Sequence, residues 1–158
     1  MKVPVLTVER IILSHWHADH SGGMLAFLKY RREAMARAPE DKQIPECVVD
    51  VHPDRPIARG FAPPPKEKPV CRLPEDPSFD ALEGPGAKVE THAEPHVVAD
   101  GTIYVSGEIP RVTTFERGLI GNMRWVPDSE NKGHWVEDNV CAKAVTSDMN
   151  ARTKNSPV

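Results

Sequence analysis

Ser14-His15-Trp16-His17-Ala18-Asp19-His20-Ser21-Gly22-Gly23 gathers three imidazoles and one carboxylate into six residues, directly after the apolar run Ile11-Ile12-Leu13. Imidazole nitrogen and carboxylate oxygen are ligands of borderline divalent ions such as zinc, and catalytic zinc sites combine them while leaving a position open to water. The spacing agrees with that chemistry. With Arg10 to Ser14 as a strand, His15 and His17 stand two apart and project to the same side as the strand ends. Asp19 and His20 then fall where the chain turns into the next helix, and Gly22 and Gly23 permit the backbone angles that such a turn needs.

Outward from this stretch, the pattern predicts an α/β chain. Met1 to Thr7 reads as part of a strand or a connection. Met24, Phe27, Leu28 and Met35 recur at helical spacing, so a helix is expected from Met24 to Ala38, stopped by Pro39. Lys29, Arg31, Arg32 and Arg37 read as its solvated face. Cys47 to Val51 is a strand, so a helix between two strands makes a βαβ-like unit in one sheet. From Pro53 to Pro77 prolines punctuate the chain, and residues 53–87 read as a Pro-rich loop or insertion. Lys88 to Thr91 is a further strand. Val97-Val98 and Thr102 to Ser106 form a hairpin around Ala99-Asp100-Gly101. Gly107 to Asn131 reads as a mixed loop, and Asn139 to Val145 as a last strand. The expected organisation is one domain over 1–149 and a polar, disordered tail over 150–158.

Composition narrows the functional classes. The 158 residues suffice for one domain, while a hydrophobic share of 39% and 16 prolines, about twice the average, point to much irregular structure. A net charge of −3 gives no electrostatic case for a nucleic-acid or membrane partner. No stretch reads as a signal peptide or reaches membrane-span length, so the expected location is cytoplasmic. Cys47, Cys71 and Cys141 are widely spaced and odd in number, which argues against a disulfide framework. Cys47 and Cys141 read as small core residues.

The Ser14 to Gly23 stretch resembles the H-x-H-x-D-H signature of the metallo-β-lactamase superfamily of hydrolases, including its trailing Gly-Gly. The resemblance implies an αββα sandwich and one or two divalent ions, with zinc as the expected cofactor. His15 and His17 would bind the first ion, and Asp19 and His20 the second. Asp19 would also be the catalytic residue that orients the nucleophile. The implied reaction is hydrolysis of a small-molecule ester or phosphoester by metal-activated water. Ser106-Gly107-Glu108-Ile109-Pro110-Arg111, with Thr114, Phe115 and Glu116 beyond it, resembles one branch, the dihydropterin synthase-like proteins. Val51-His52-Pro53 followed by Arg59 is similar to a strand end of that branch. Glu108, Arg111 and His52 are therefore candidate substrate contacts, although Glu108 and Arg111 could equally form a local salt bridge. His92 and His96 read as solvated loop residues, and His134 has no evident partner.

The pattern also departs from the family. Strands before the motif are expected there, of which only Arg10 to Ser14 has an obvious counterpart here, and the later histidine expected after Val145 is not found. The chain therefore reads as a partial sandwich without the N- and C-terminal portions of the fold, with exposed sheet edges that invite a homo-oligomer. Two readings from other classes stand beside the enzyme: a non-catalytic metal-binding or interaction remnant, and a βαβ core that binds a partner through Pro63-Pro64-Pro65.

Overall fold

The computed structural model describes residues 3–109, 112–113, 115, 118–129 and 132–138, and the backbone of strand 143–146. The elements are β1 (Arg10–Ile12), α1 (Ala18–Ser21), α2 (Met24–Ala36), β2 (Val48–Val51), β3 (Arg59–Phe61), β4 (Cys71–Arg72), α3 (Phe79–Glu83), β5 (Lys88–Thr91), β6 (His96–Val98), β7 (Ile103–Glu108), β8 (Asn122–Val126), β9 (His134–Glu137) and β10 (Lys143–Thr146). Val5–Thr7 is a single 3-10 turn rather than a strand.

β1, β2 and β5 form a parallel sheet in that order, with Ile12 opposite Asp50 and Asp50 opposite Glu90. α2 joins β1 to β2, which gives the expected βαβ unit. Strand alternation sorts the two faces. The odd-numbered Ile11, Val49, Val51 and Val89 join Leu13, Trp16, Met24, Leu28, Cys47 and Leu82 in the core beneath the helices. The even-numbered Arg10, Asp50 and Glu90 lie on the other face, where their side chains meet one another.

Two helix expectations change. Arg31, assigned to the solvated face, is 3% exposed, while Met35 is 39% exposed. The long Arg31 stem can lie along apolar surface because its guanidinium donates to Pro45 O and to Met35 Sδ.

The Pro-rich stretch is not merely loop. Residues 53–87 contain β3, β4 and α3, and Ser78 Oγ caps α3 by accepting from Ala81 N. β3 forms because Arg59–Phe61 pairs with β8, a long-range contact that local composition does not reveal. β8 itself lies within the predicted 107–131 loop, and β9 crosses the stretch in which His134 had no evident partner. Together β4-β3-β8-β9 make an antiparallel sheet, with Trp125 and Trp135 in edge contact at 5.4 Å.

The predicted hairpin is present as β6 and β7, and β7 also pairs with β10, which makes a third sheet in the order β10-β7-β6. Its turn uses positive φ at Ala99, Asp100 and Gly101. Gly107 has φ +71°, and a Cβ there would stand 2.5 Å from Ala93 O. Cys47 is a buried core residue as expected, whereas Cys71 is exposed. Cys141, residues 139–142 of the predicted last strand, and the predicted tail lie outside the described residues. The mixed α/β arrangement, with several sheets and few helices, is compatible with part of an αββα sandwich. No helix among the described residues is long and apolar enough to cross a membrane.

Candidate metal centre

β1 delivers the histidine-rich turn to the C-terminal end of the parallel sheet. Leu13 N continues the pairing by donating to Asp50 O at 2.9 Å, and α1 begins at Ala18 with His17 as its N-cap. Trp16 anchors the turn from below: it is 2% exposed and its Nε1 donates to His52 O at 2.9 Å.

The motif side chains meet in two pairs. His15 Nε2 stands 3.1 Å from His17 Nδ1, and His20 Nε2 stands 3.5 Å from Asp19 Oδ2. The His15 and His20 rings lie 4.2 Å apart, with Ser14 Oγ between His15 Nδ1 at 3.1 Å and His20 Nδ1 at 3.3 Å. The Asp19 side chain is 79% exposed and faces solvent. Burial, and then the neighbouring His17 and His20, hold the His15 pKa below its usual value, with Arg59 adding to the effect. His15 is therefore biased toward the neutral, ligating form.

His17 has a second neighbour that the sequence did not suggest. Its Nε2 lies 3.8 Å from Asp138 Oδ2, and the Asp138 side chain is 1% exposed. Asp138 follows β9, and its N–H donates to Asn122 O at 2.8 Å, extending the β8–β9 pairing by one residue. Among the described residues, neither Asp138 oxygen nor His17 Nε2 makes a hydrogen bond.

The ring nitrogens fit a divalent ion. Ser14 Oγ can accept from His15 Nδ1–H, and Asp138 can orient His17 Nε2–H. With each neutral ring protonated on that outer nitrogen, His15 Nε2 and His17 Nδ1 are two lone pairs facing each other across 3.1 Å, whereas the other tautomer of either ring makes the same contact an N–H···N hydrogen bond. Two acceptors so placed repel unless a cation joins them, and ligand bonds of about 2.0–2.1 Å span that gap at slightly less than a tetrahedral angle.

Around the turn, Arg59 is 3% exposed and grips Asp76 through Nε and Nη2, both at 3.0 Å, while Ser21 Oγ donates to the same carboxylate. Arg124 grips Asp54 through two bonds of 2.6 Å; this hydrogen bonding pushes the Asp54 pKa down and the Arg124 pKa up. His52 Nε2 lies 2.9 Å from Glu108 Oε1, joining the ends of β2 and β7. Glu108 therefore meets His52; Arg111 lies outside the described residues.

His92 and His96 are not simple solvated loop residues. They stack at 4.1 Å, and both reach Asp50, which is fully buried: His92 Nδ1 to Oδ1 at 3.3 Å, and His96 Nε2 to Oδ2 at 2.7 Å. Among the described residues these three form a group whose potential ligand atoms all lie within 4.8 Å of one another. The signal in the sequence was a charged residue, Asp50, inside the apolar run Val48-Val49-Asp50-Val51.

A parallel sheet with crossover helices, ending in paired imidazoles and carboxylates, defines an α/β protein with the donor set of a metal site. Residues 1–108 match the family described as the metallo-beta-lactamase superfamily. That is well over half of the chain, and the protein belongs to this superfamily of metal-dependent hydrolases. No curated protein and no solved structure matches the sequence.

Proposed function

We propose that the protein is a metal-dependent hydrolase of the metallo-β-lactamase superfamily acting on a small-molecule ester or phosphoester. The observation that carries this reading is the 3.1 Å approach of His15 Nε2 to His17 Nδ1, each ring having its other nitrogen beside an oxygen of Ser14 or Asp138. His15 and His17 would hold one divalent ion; Asp19 and His20 would hold a second, with Asp19 also orienting the attacking water. Zinc is the expected metal, from the mixture of imidazole and carboxylate donors. A bound divalent ion there supplies a water of lowered pKa and polarises the scissile oxygen.

The chain's own residues do the rest. Ser14 Oγ stands at hydrogen-bond distance from His15 Nδ1, the Asp138 carboxylate lies 3.8 Å from His17 Nε2 and would draw within hydrogen-bond reach in the metal-bound state, and Trp16 fixes the turn that carries both. His52 and Glu108 stand at the rim, where they would contact substrate together with Arg111. The Ser106 to Arg111 string supports placing the protein in the dihydropterin synthase-like branch. Association through the exposed edge of β1 is the corresponding proposal for a homo-oligomer.

The test is metal content by plasma mass spectrometry, alongside hydrolysis of a generic ester and a generic phosphodiester. Metal retained by the wild type, with turnover lost in His17→Ala, supports the enzyme. Tight metal without turnover on either substrate class supports the non-catalytic reading, and metal content equal in wild type and His15→Ala/His17→Ala removes both assignments at this cluster.

A further inference from the structure

The geometry points to a second, separate divalent-metal site between the sheets, formed by Asp50 from β2, His92 just after β5, and His96 from β6. It does not depend on the histidine-rich turn or on hydrolase activity.

The case rests on which ring nitrogen carries the hydrogen. His96 Nδ1 lies 3.1 Å from Glu94 O, a backbone carbonyl that can only accept. His96 therefore donates from Nδ1, which makes Nε2 of the neutral ring a bare lone pair. That lone pair faces Asp50 Oδ2 at 2.7 Å. That contact is satisfied by a cation between the two atoms, either a metal ion or a proton on Nε2. A metal-bound histidine is characteristically held in this way, with its distal N–H on a backbone carbonyl.

His92 completes a three-donor face. Its Nδ1 lies 3.3 Å from Asp50 Oδ1, and ligand bonds of about 2.0–2.1 Å span such a gap at roughly a tetrahedral angle. The His96 to Asp50 gap is shorter, and opens by about half an ångström to admit an ion with the same bonds. The two stacked rings present their nitrogens to one carboxylate. Arg10 Nη1 is shared between Asp50 Oδ2 at 3.2 Å and Glu90 Oε2 at 2.9 Å, and Lys88 Nζ holds Glu90 Oε1 at 2.8 Å. With Asp50 fully buried and the His92 side chain 37% exposed, the open coordination position lies on the His92 side.

Two imidazoles and one carboxylate favour zinc, cobalt, nickel or copper over magnesium or calcium. The ligands come from the parallel sheet and from the hairpin sheet, so the ion would clamp the two layers together.

The experiment uses the full-length chain carrying His15→Ala and His17→Ala, titrated with Co2+ and followed by its visible absorption and by calorimetry. One ion per chain is expected, and adding His96→Gln should lower its affinity at least 100-fold. In the wild type, Zn2+ titration followed by imidazole 15N NMR should shift His92 and His96 together, which keeps the test usable if the double variant does not fold. Absence of a Co2+ complex in a folded double variant, or Zn2+ leaving the His92 and His96 nitrogens unmoved, overturns the site. In that case a proton held between His96 and Asp50 accounts for the contact. Loss of binding at His15 and His17 alone would strike only the hydrolase reading.

Discussion

Asp138→Asn separates the role of a buried carboxylate in the apo fold from its role at the metal. In the folded chain this carboxylate is 1% exposed and forms no hydrogen bond among the described residues; His17 Nε2 lies 3.8 Å from it, and the Arg124 guanidinium acts on it electrostatically without a direct ion pair. A buried carboxylate in such surroundings carries an effective desolvation penalty of several kcal/mol, which the neutral amide avoids. Without metal, the variant should therefore be at least as stable as the wild type by urea or thermal unfolding. With metal, the balance reverses. Partners of a ligating histidine typically account for 10–100-fold in metal affinity, because they fix the tautomer and raise ligand basicity. Asn retains an acceptor oxygen but not the charge, so the expected loss is about 10-fold, or ~1.4 kcal/mol. Calorimetric titration of Zn2+ into the His96→Gln background isolates the site at His15 and His17. Unchanged affinity there, in a variant that still folds, would refute the positioning role of Asp138; a large loss of apo stability would show that Arg124 and His17 more than offset the burial of its charge.

Three further outcomes follow from the same geometry. Asp76→Ala strips a buried guanidinium, Arg59, of its bidentate partner and should cost about 3–5 kcal/mol; a change below ~1 kcal/mol in the urea midpoint analysis would show that Arg59 finds another partner. Glu90 is held down to about 2 from 4.5 by hydrogen bonds from Lys88 and Arg10. A carboxylate with a depressed folded pKa stabilises fully above its unfolded value, so this contribution should fade as pH falls from 4.5 toward 2. The Glu90 side chain is a quarter exposed, which keeps the effect small, and the gap in urea midpoint between wild type and Glu90→Gln should narrow across that window and nowhere above it. Gly107→Ala places a side chain at φ +71° and 2.5 Å from Ala93 O, so a loss of about 1–3 kcal/mol or more is expected in thermal unfolding; an unchanged Tm would mean that the β6–β7 region repacks freely.

The parts of this protein that were legible in the sequence are those governed by neighbours in the chain. His15 and His17 come together because they lie two apart at a strand end, and Asp19 reaches His20 because the two are adjacent at the start of α1. The α2 helix and the β6–β7 turn were readable for the same reason. What escaped depends on register between distant strands. Asp50 meets His96 across 46 residues, and Asp138 comes within 3.8 Å of His17 because β9 pairs with β8 and the residue after β9 continues that pairing. β3 and β8 were missed because their pairing with each other joins residues more than 60 apart in the chain.

The parallel register of β1, β2 and β5 ties these distant contacts to a single cause. Residues of one parity, Ile11, Val49, Val51 and Val89, point to the helices and build the core. Residues of the other parity, Arg10, Asp50, Glu90, His52 and His92, share the opposite side, where apolar packing alone would be expected between two layers of a sandwich. A charged row there is stable only while each member has a partner, and Arg10, His92 and His96 are among the partners of Asp50. Shifting β2 by one residue would turn Asp50 into the core and Val49 toward Arg10, which both faces oppose. The same alternation therefore fixes the strand register, delivers the histidine-rich turn to its end of the sheet, and sets Asp50 against the two imidazoles of the hairpin layer.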